Sequence, residues 1–145
     1  MKLRHLFFAC SGVFVMMFSL LLLVVIVFSD EEDGGSGGNL IYGGVNVSQE
    51  VLAHKPMLEK YAREYGIEEY LNVLLAIIQV ESGGTLEDVM QSSESAGLPV
   101  NTLGTEDSIK QGCKYFSELV ASAEAKGCDL NAVIQSYNYG GGFLD

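Results

Sequence analysis

The sequence predicts a mainly α-helical domain behind an N-terminal transmembrane helix, and three observations carry that expectation. An uncharged, largely apolar run of 23 residues, Leu6 to Phe28, lies near the start of the chain, and roughly 20 such residues cross a bilayer as a helix. A second apolar run, Leu71–Val80, leads directly into Glu81 and the pair Gly83-Gly84. Beyond residue 44 apolar residues recur at helical spacing, and no stretch alternates cleanly enough to demand a strand.

Lys2, Arg4 and His5 precede the first run, and Asp30, Glu31, Glu32 and Asp33 follow it. Basic flanks stay inside, so the N-terminus is cytoplasmic and the rest of the chain lies on the extracellular side of a single-pass anchor. The rival reading is a cleaved signal peptide, with Val27-Phe28-Ser29 as an acceptable site. Secretory apolar regions run to roughly 7–15 residues, which favours the anchor. Cys10 then packs as a small hydrophobe. Residues 1–29 are the anchor, residues 30–44 an acidic and glycine-rich linker, and residues 45–145 the folded domain.

In that domain Ser48 is placed to cap a helix from Gln49 to about Tyr65, ended by Gly66. Val51, Leu58, Tyr61, Ala62 and Tyr65 form its inner stripe, and Pro56 bends it or delays its start. A second helix spans Glu68 to Glu81, and its apolar run reads as buried on nearly every side. A short helical turn is expected around Leu86–Ser92, then a loop through Gly97, Pro99 and Gly104. Asp107 caps a long helix to Lys126, with Ile109, Phe116, Leu119 and Ala123 inward. Asp129 caps a last helix over Leu130–Tyr139.

Glu81 carries the chemistry. A carboxyl at the end of a buried helix sits where core meets solvent, and desolvation there raises its pKa. A raised pKa keeps it protonated near neutrality, as a general acid requires. The bland alternative is an exposed helix-end acid. Asp88 follows seven positions on, about 10 Å along an unbroken helix, but Gly83 and Gly84 let the chain turn so that both carboxyls face one gap. Glycoside hydrolysis uses such a pair. The spacing alone is weak, since 19 acids in 145 residues generate many pairs.

Three segments in fixed order sharpen this reading: Val-Glu-Ser-Gly-Gly (80–84), Asp-Val-Met-Gln-Ser-Ser-Glu-Ser (88–95) and Gln-Ser-Tyr-Asn-Tyr-Gly-Gly-Gly (135–142). On these the sequence resembles the CwlT-like lysozyme domain, the muramidase half of cell-wall hydrolases of Gram-positive conjugative elements. More distantly it resembles soluble lytic transglycosylases and goose-type lysozymes. The resemblance covers roughly Val45 to Asp145 and implies a lysozyme-like fold, with a small hairpin near Ser93–Thr105 by analogy. It implies that Glu81 is the general acid and Asp88 the second catalytic carboxylate, with Glu94 as the alternative. Ser82, Gln91, Ser92, Glu94, Tyr137 and Asn138 are the substrate-binding candidates, although Gln91, Ser92 and Asn138 can equally satisfy buried backbone groups. The implied activity is an N-acetylmuramidase cleaving the β-1,4 bond between N-acetylmuramic acid and N-acetylglucosamine. Glycan strands of peptidoglycan are the implied substrate, conjugation-channel proteins the implied partners, and local wall opening the implied task. Two alternatives stay open: a lytic transglycosylase, which needs only the acid, and a non-catalytic wall-binding module. The chain ends just after the Tyr-Asn-Tyr-Gly motif, where the family's domain continues, so a C-terminally truncated copy is expected.

The formal net charge is −11. Setting aside Lys2 and Arg4 leaves six basic against nineteen acidic residues, a formal −13 outside the membrane. That argues against nucleic acid as a partner, since its binding relies on neutralised phosphates. It also opposes adsorption to an anionic wall, so an anchor and tether take the place of adsorption. Cys113 and Cys128 are too far apart on the expected helix to bridge. His54 is isolated and reads as a surface residue. No His/Cys cluster has metal-ligand spacing, and no metal or cofactor is expected.

Overall fold

A computed structural model of the chain describes residues 39–42 and 44–144. The transmembrane helix expected over residues 1–29, and the acidic start of the linker, lie outside the described residues. Among the described residues no helix is long and apolar enough to cross a membrane.

The domain opens with a hairpin that the sequence pattern did not demand. Strand β1 (Asn39–Tyr42) pairs antiparallel with β2 (Val45–Ser48), in a register that sets Asn39 opposite Ser48 and Tyr42 opposite Val45. Strand β1 therefore lies within the stretch read as linker. Two residues separate the strands, and Gly44 takes the positive φ (87°) that such a short connection requires. Val45 and Val47 face the core while Asn46 is exposed. Four residues give too short an alternation to stand out beside a glycine-rich tract. No strand forms near Ser93–Thr105, where the chain makes a short 3-10 turn at Glu94–Ala96 and then an open loop.

Ser48 caps α1 (Gln49–Ala53) by accepting from the Val51 amide. The first helix is shorter than expected: the chain breaks at His54, and α2 (Lys55–Glu64) starts with Pro56 in its first turn, where a missing N–H costs nothing. A 3-10 turn at Glu68–Tyr70 leads into α3 (Leu71–Glu81). All six residues from Val73 to Ile78 are buried, so α3 is the central helix. The long α4 (Thr105–Lys126) starts at Gly104, three residues before the expected cap Asp107, and ends on Gly127 in the left-handed conformation. Asp129 caps α5 (Leu130–Tyr139) through the Ala132 amide, as expected.

One buried core joins α3 with Val45 and Val47 of β2, Leu58 and Ala62 of α2, Ile109 and Phe116 of α4, and Val133 and Ile134 of α5. Tyr61 joins α2 to α4 by donating to Glu106 at 2.6 Å. Cys113 and Cys128 are free thiols, and burial pushes the Cys113 thiol up to about 12.

Candidate active site

Glu81 is the last residue of α3, and its side chain stands half-buried where the apolar helix ends. The helix stops because Gly83 (φ 60°) and Gly84 (φ 78°) turn the chain through the left-handed region. Gly84 cannot be replaced without movement: a Cβ there would sit 2.7 Å from the Glu50 carbonyl carbon and the Val51 amide nitrogen. The turn is held from three sides. Ser48 Oγ donates to the Gly83 carbonyl and the His54 ring meets the Gly84 carbonyl at 2.9 Å, while the Ser48 amide donates to Gln79 Oε1 at 2.7 Å. His54 is therefore a half-buried brace of this turn rather than the surface residue expected. Ser82 is committed too, with its hydroxyl donating to the Val89 carbonyl at 2.8 Å and accepting from the Gly84 amide.

The segment after the turn carries Asp88 close enough for its charge to act on Glu81. No regular helix forms over Leu86–Ser92; turns and bends take its place, organised by Asp88. Asp88 is 1% exposed. Its Oδ1 accepts from the Ser92 amide at 2.9 Å and the Ser108 hydroxyl at 2.6 Å, and its Oδ2 accepts from the Ser93 amide and hydroxyl. Four donors fill the acceptor sites of an ionised carboxylate. Burial pushes the Asp88 pKa up, but the Ser108 and Ser93 hydroxyls and the Ser92 and Ser93 amides outweigh it and hold it below its ordinary value. Asp88 is thus a fixed anion. Glu81 responds oppositely: burial first, and the Asp88 charge second, push its carboxyl up to about 7. Two carboxyls with divided pKa values are the pattern expected of an acid and an anionic partner.

Tyr137 on α5 closes the group. Its hydroxyl donates to the Met90 carbonyl at 3.0 Å, and its ring packs against Tyr115 and Phe116 of α4 at centroid distances of 5.5 and 6.4 Å. Burial, and then the charge of Glu81, push its phenol well above the ordinary value. Gly112 gives this contact its room, since a Cβ there would meet Met90 Sδ at 2.6 Å and the Tyr137 hydroxyl at 2.9 Å.

The other sequence candidates divide. Gln91 is half-buried with φ 47°, and its amide donates to the Asp88 carbonyl and to Asn101 Oδ1. Ser92 is 2% exposed and donates to the Ser108 carbonyl at 2.8 Å, which ties it to structure. Asn138 is half-buried and reaches the Ile134 carbonyl one turn back at 3.4 Å. Glu94 is exposed on the 3-10 turn, outside the hydrogen bonds that hold Asp88. Two residues were missed. Ser93 lies within the second motif, where its role at Asp88 had no signal of its own. Ser108 is fully buried in the first turn of α4, and its signal was a serine, followed by Gly112, on an otherwise apolar stripe.

A family model described as lysozyme-like matches residues 48–145. The chain is 41% identical over 105 residues to the bifunctional muramidase/DL-endopeptidase CwlT of Bacillus subtilis, covering 72% of this chain and 31% of that protein. It is 38% identical over 100 residues to the uncharacterized membrane protein YocA of the same species, covering 68% and 44%. It is 39% identical over 98 residues to a Streptococcus pyogenes homolog of pneumococcal vaccine antigen A, covering 67% and 49%. A crystal structure from Staphylococcus aureus, described as similar to a lipoprotein of the NLP/P60 family, superposes with a TM-score of 0.66 at 72% identity, over 67% of this chain and 33% of that one. The chain therefore spans less than half the length of each of these relatives.

Proposed function

This chain belongs to the lysozyme-like family, and on that premise we propose that it is a cell-wall hydrolase acting on the glycan strands of peptidoglycan. The finer reading is an N-acetylmuramidase that cleaves the β-1,4 bond after N-acetylmuramic acid. One observation carries it: a half-buried Glu81 at the end of α3, held protonated toward neutrality, within reach of the field of the donor-saturated Asp88. Glu81 donates its proton to the glycosidic oxygen as the bond breaks. The sugar left behind develops oxocarbenium character, and the fixed negative charge of Asp88 stabilises it. Water then completes hydrolysis. Gln91, Tyr137 and Asn138 flank this chemistry as glycan-binding groups. Clearing of purified Gram-positive walls by the chain, and its loss in Glu81→Gln, tests the assignment; lysis retained by a folded Glu81→Gln chain overturns it.

A lytic transglycosylase is the second reading, and one observation favours it. Asp88 has every acceptor site occupied and is 1% exposed, so it has no free oxygen with which to activate water. In that case the muramyl 6-hydroxyl closes the ring in place of water.

We also propose that residues 1–29 anchor the domain to the membrane with its site on the wall side, and that its partners are proteins of a conjugation channel. The uncharged run Leu6 to Phe28 and the acidic exterior support the anchor. Release of the full chain from membranes by detergent and not by high salt supports it; release by salt alone rejects it.

A further inference from the structure

Gln91 (φ 47°) and Asn101 (φ 58°) are the two non-glycine residues with positive φ among the described residues, and they bond to each other. Gln91 Nε2 donates to Asn101 Oδ1 at 2.7 Å and to the Asp88 carbonyl at 2.8 Å. Both amide hydrogens of Gln91 are therefore committed, which fixes the orientation of the side chain and leaves Oε1 as its acceptor for a ligand. The loop carrying Asn101 is itself pinned, because the Thr102 and Leu103 amides both donate to Ser93 Oγ at 3.0 Å. A strained Gln91 backbone, held in place through the side-chain bond to Asn101, fits a geometry kept for use. A glutamine rarely adopts positive φ, whereas asparagine tolerates it.

We propose that Asn101 is a positioning residue for glycan binding: its side-chain oxygen orients the Gln91 amide so that Gln91 Oε1 accepts from a hydroxyl or amide N–H of the sugar. This rests on the reading of the site as a peptidoglycan site. Asn101 touches no reacting group; it acts through Gln91.

The test uses the full chain carrying Glu81→Gln, so that turnover is silent, and calorimetric binding of a soluble peptidoglycan tetrasaccharide. Adding Asn101→Gly keeps the positive φ and removes the acceptor. Affinity should fall about five- to tenfold, the scale of one hydrogen bond. Adding Asn101→Asp instead keeps both the acceptor and a tolerated φ, and affinity should stay within about twofold of the parent. A merely structural role predicts no such rescue. Parent-like binding by the glycine variant, equal losses in both variants, or no binding in the parent overturns the inference. Tetrasaccharide binding with this pattern, but no fragments released by the wild-type chain, overturns the hydrolase reading and leaves Asn101 its role.

Discussion

Ser108 Oγ donates to Asp88 Oδ1 at 2.6 Å and at the same time accepts from the Met90 amide at 3.0 Å. One hydroxyl on the first turn of α4 thus holds both the carboxylate and the backbone two residues beyond it. Ser108→Ala removes the donor to a buried anion and strands a buried N–H. The expected cost is about 2–4 kcal/mol in urea unfolding. Because the Asp88 pKa is lowered in the folded state, its stabilisation is present above the ordinary carboxylate range and lost as pH falls through the folded value. The deficit of Ser108→Ala should therefore narrow at low pH. A deficit that is unchanged by pH would detach Ser108 from the charge on Asp88.

Glu81 has the opposite linkage. Its folded pKa, about 7, lies above the ordinary value of 4.5, so the folded state binds more protons between those limits. Stability falls as pH rises through that window. Glu81→Gln, which resembles the protonated acid, should leave stability unchanged near pH 4 and raise it by about 2 kcal/mol near pH 8, the half-buried position limiting the gain. Thermal unfolding at the two pH values measures this. Equal effects at both would mean that Glu81 titrates normally.

The rate should carry the same group. With Glu81 as proton donor, activity declines above about pH 7 as the acid ionises. Asp88→Asn removes the neighbouring charge, so this alkaline limb should move to lower pH while the maximal rate falls. An alkaline limb that stays in place would exclude Asp88 as the source of the second push on Glu81.

Much of this arrangement was legible in the residues. The apolar run Leu71–Val80 and the glycines after Glu81 located the buried helix and its break, and the stripe Ile109, Phe116, Leu119 and Ala123 oriented α4. What stayed hidden was set by tertiary contacts. The strand pair Asn39–Ser48 is too short for its alternation to register, and the brace from the His54 ring to the Gly84 carbonyl joins residues 30 apart in sequence. The commitment of Asp88 to four donors could not be seen, because Ser108 lies 20 residues away in sequence. The pair of carboxyls stood out only through the ordered motifs around it, not through spacing; which of them is closed off by hydrogen bonds is a property of the packing.

The glycine turn gives a test of that packing. Gly84→Ala forces a Cβ to within 2.7 Å of the α1 backbone at a φ of 78°. It should cost about 3 kcal/mol or more and abolish activity with it. Gly97→Ala has a similar φ, 73°, but open space around it, so it should cost only about 1 kcal/mol and leave activity in place. Equal losses of stability would mean that backbone strain, and not the contact with Glu50 and Val51, makes Gly84 necessary.

The central claim is that Glu81 protonates the glycosidic oxygen and water takes up the muramyl centre. Mass spectrometry of peptidoglycan digested by the chain, with Glu81→Gln alongside, tests it most directly. The expected products carry reducing N-acetylmuramic acid ends and are absent with the mutant. Anhydromuramyl ends would contradict hydrolysis and make the enzyme a transglycosylase, and identical fragments from both proteins would contradict the role of Glu81 itself.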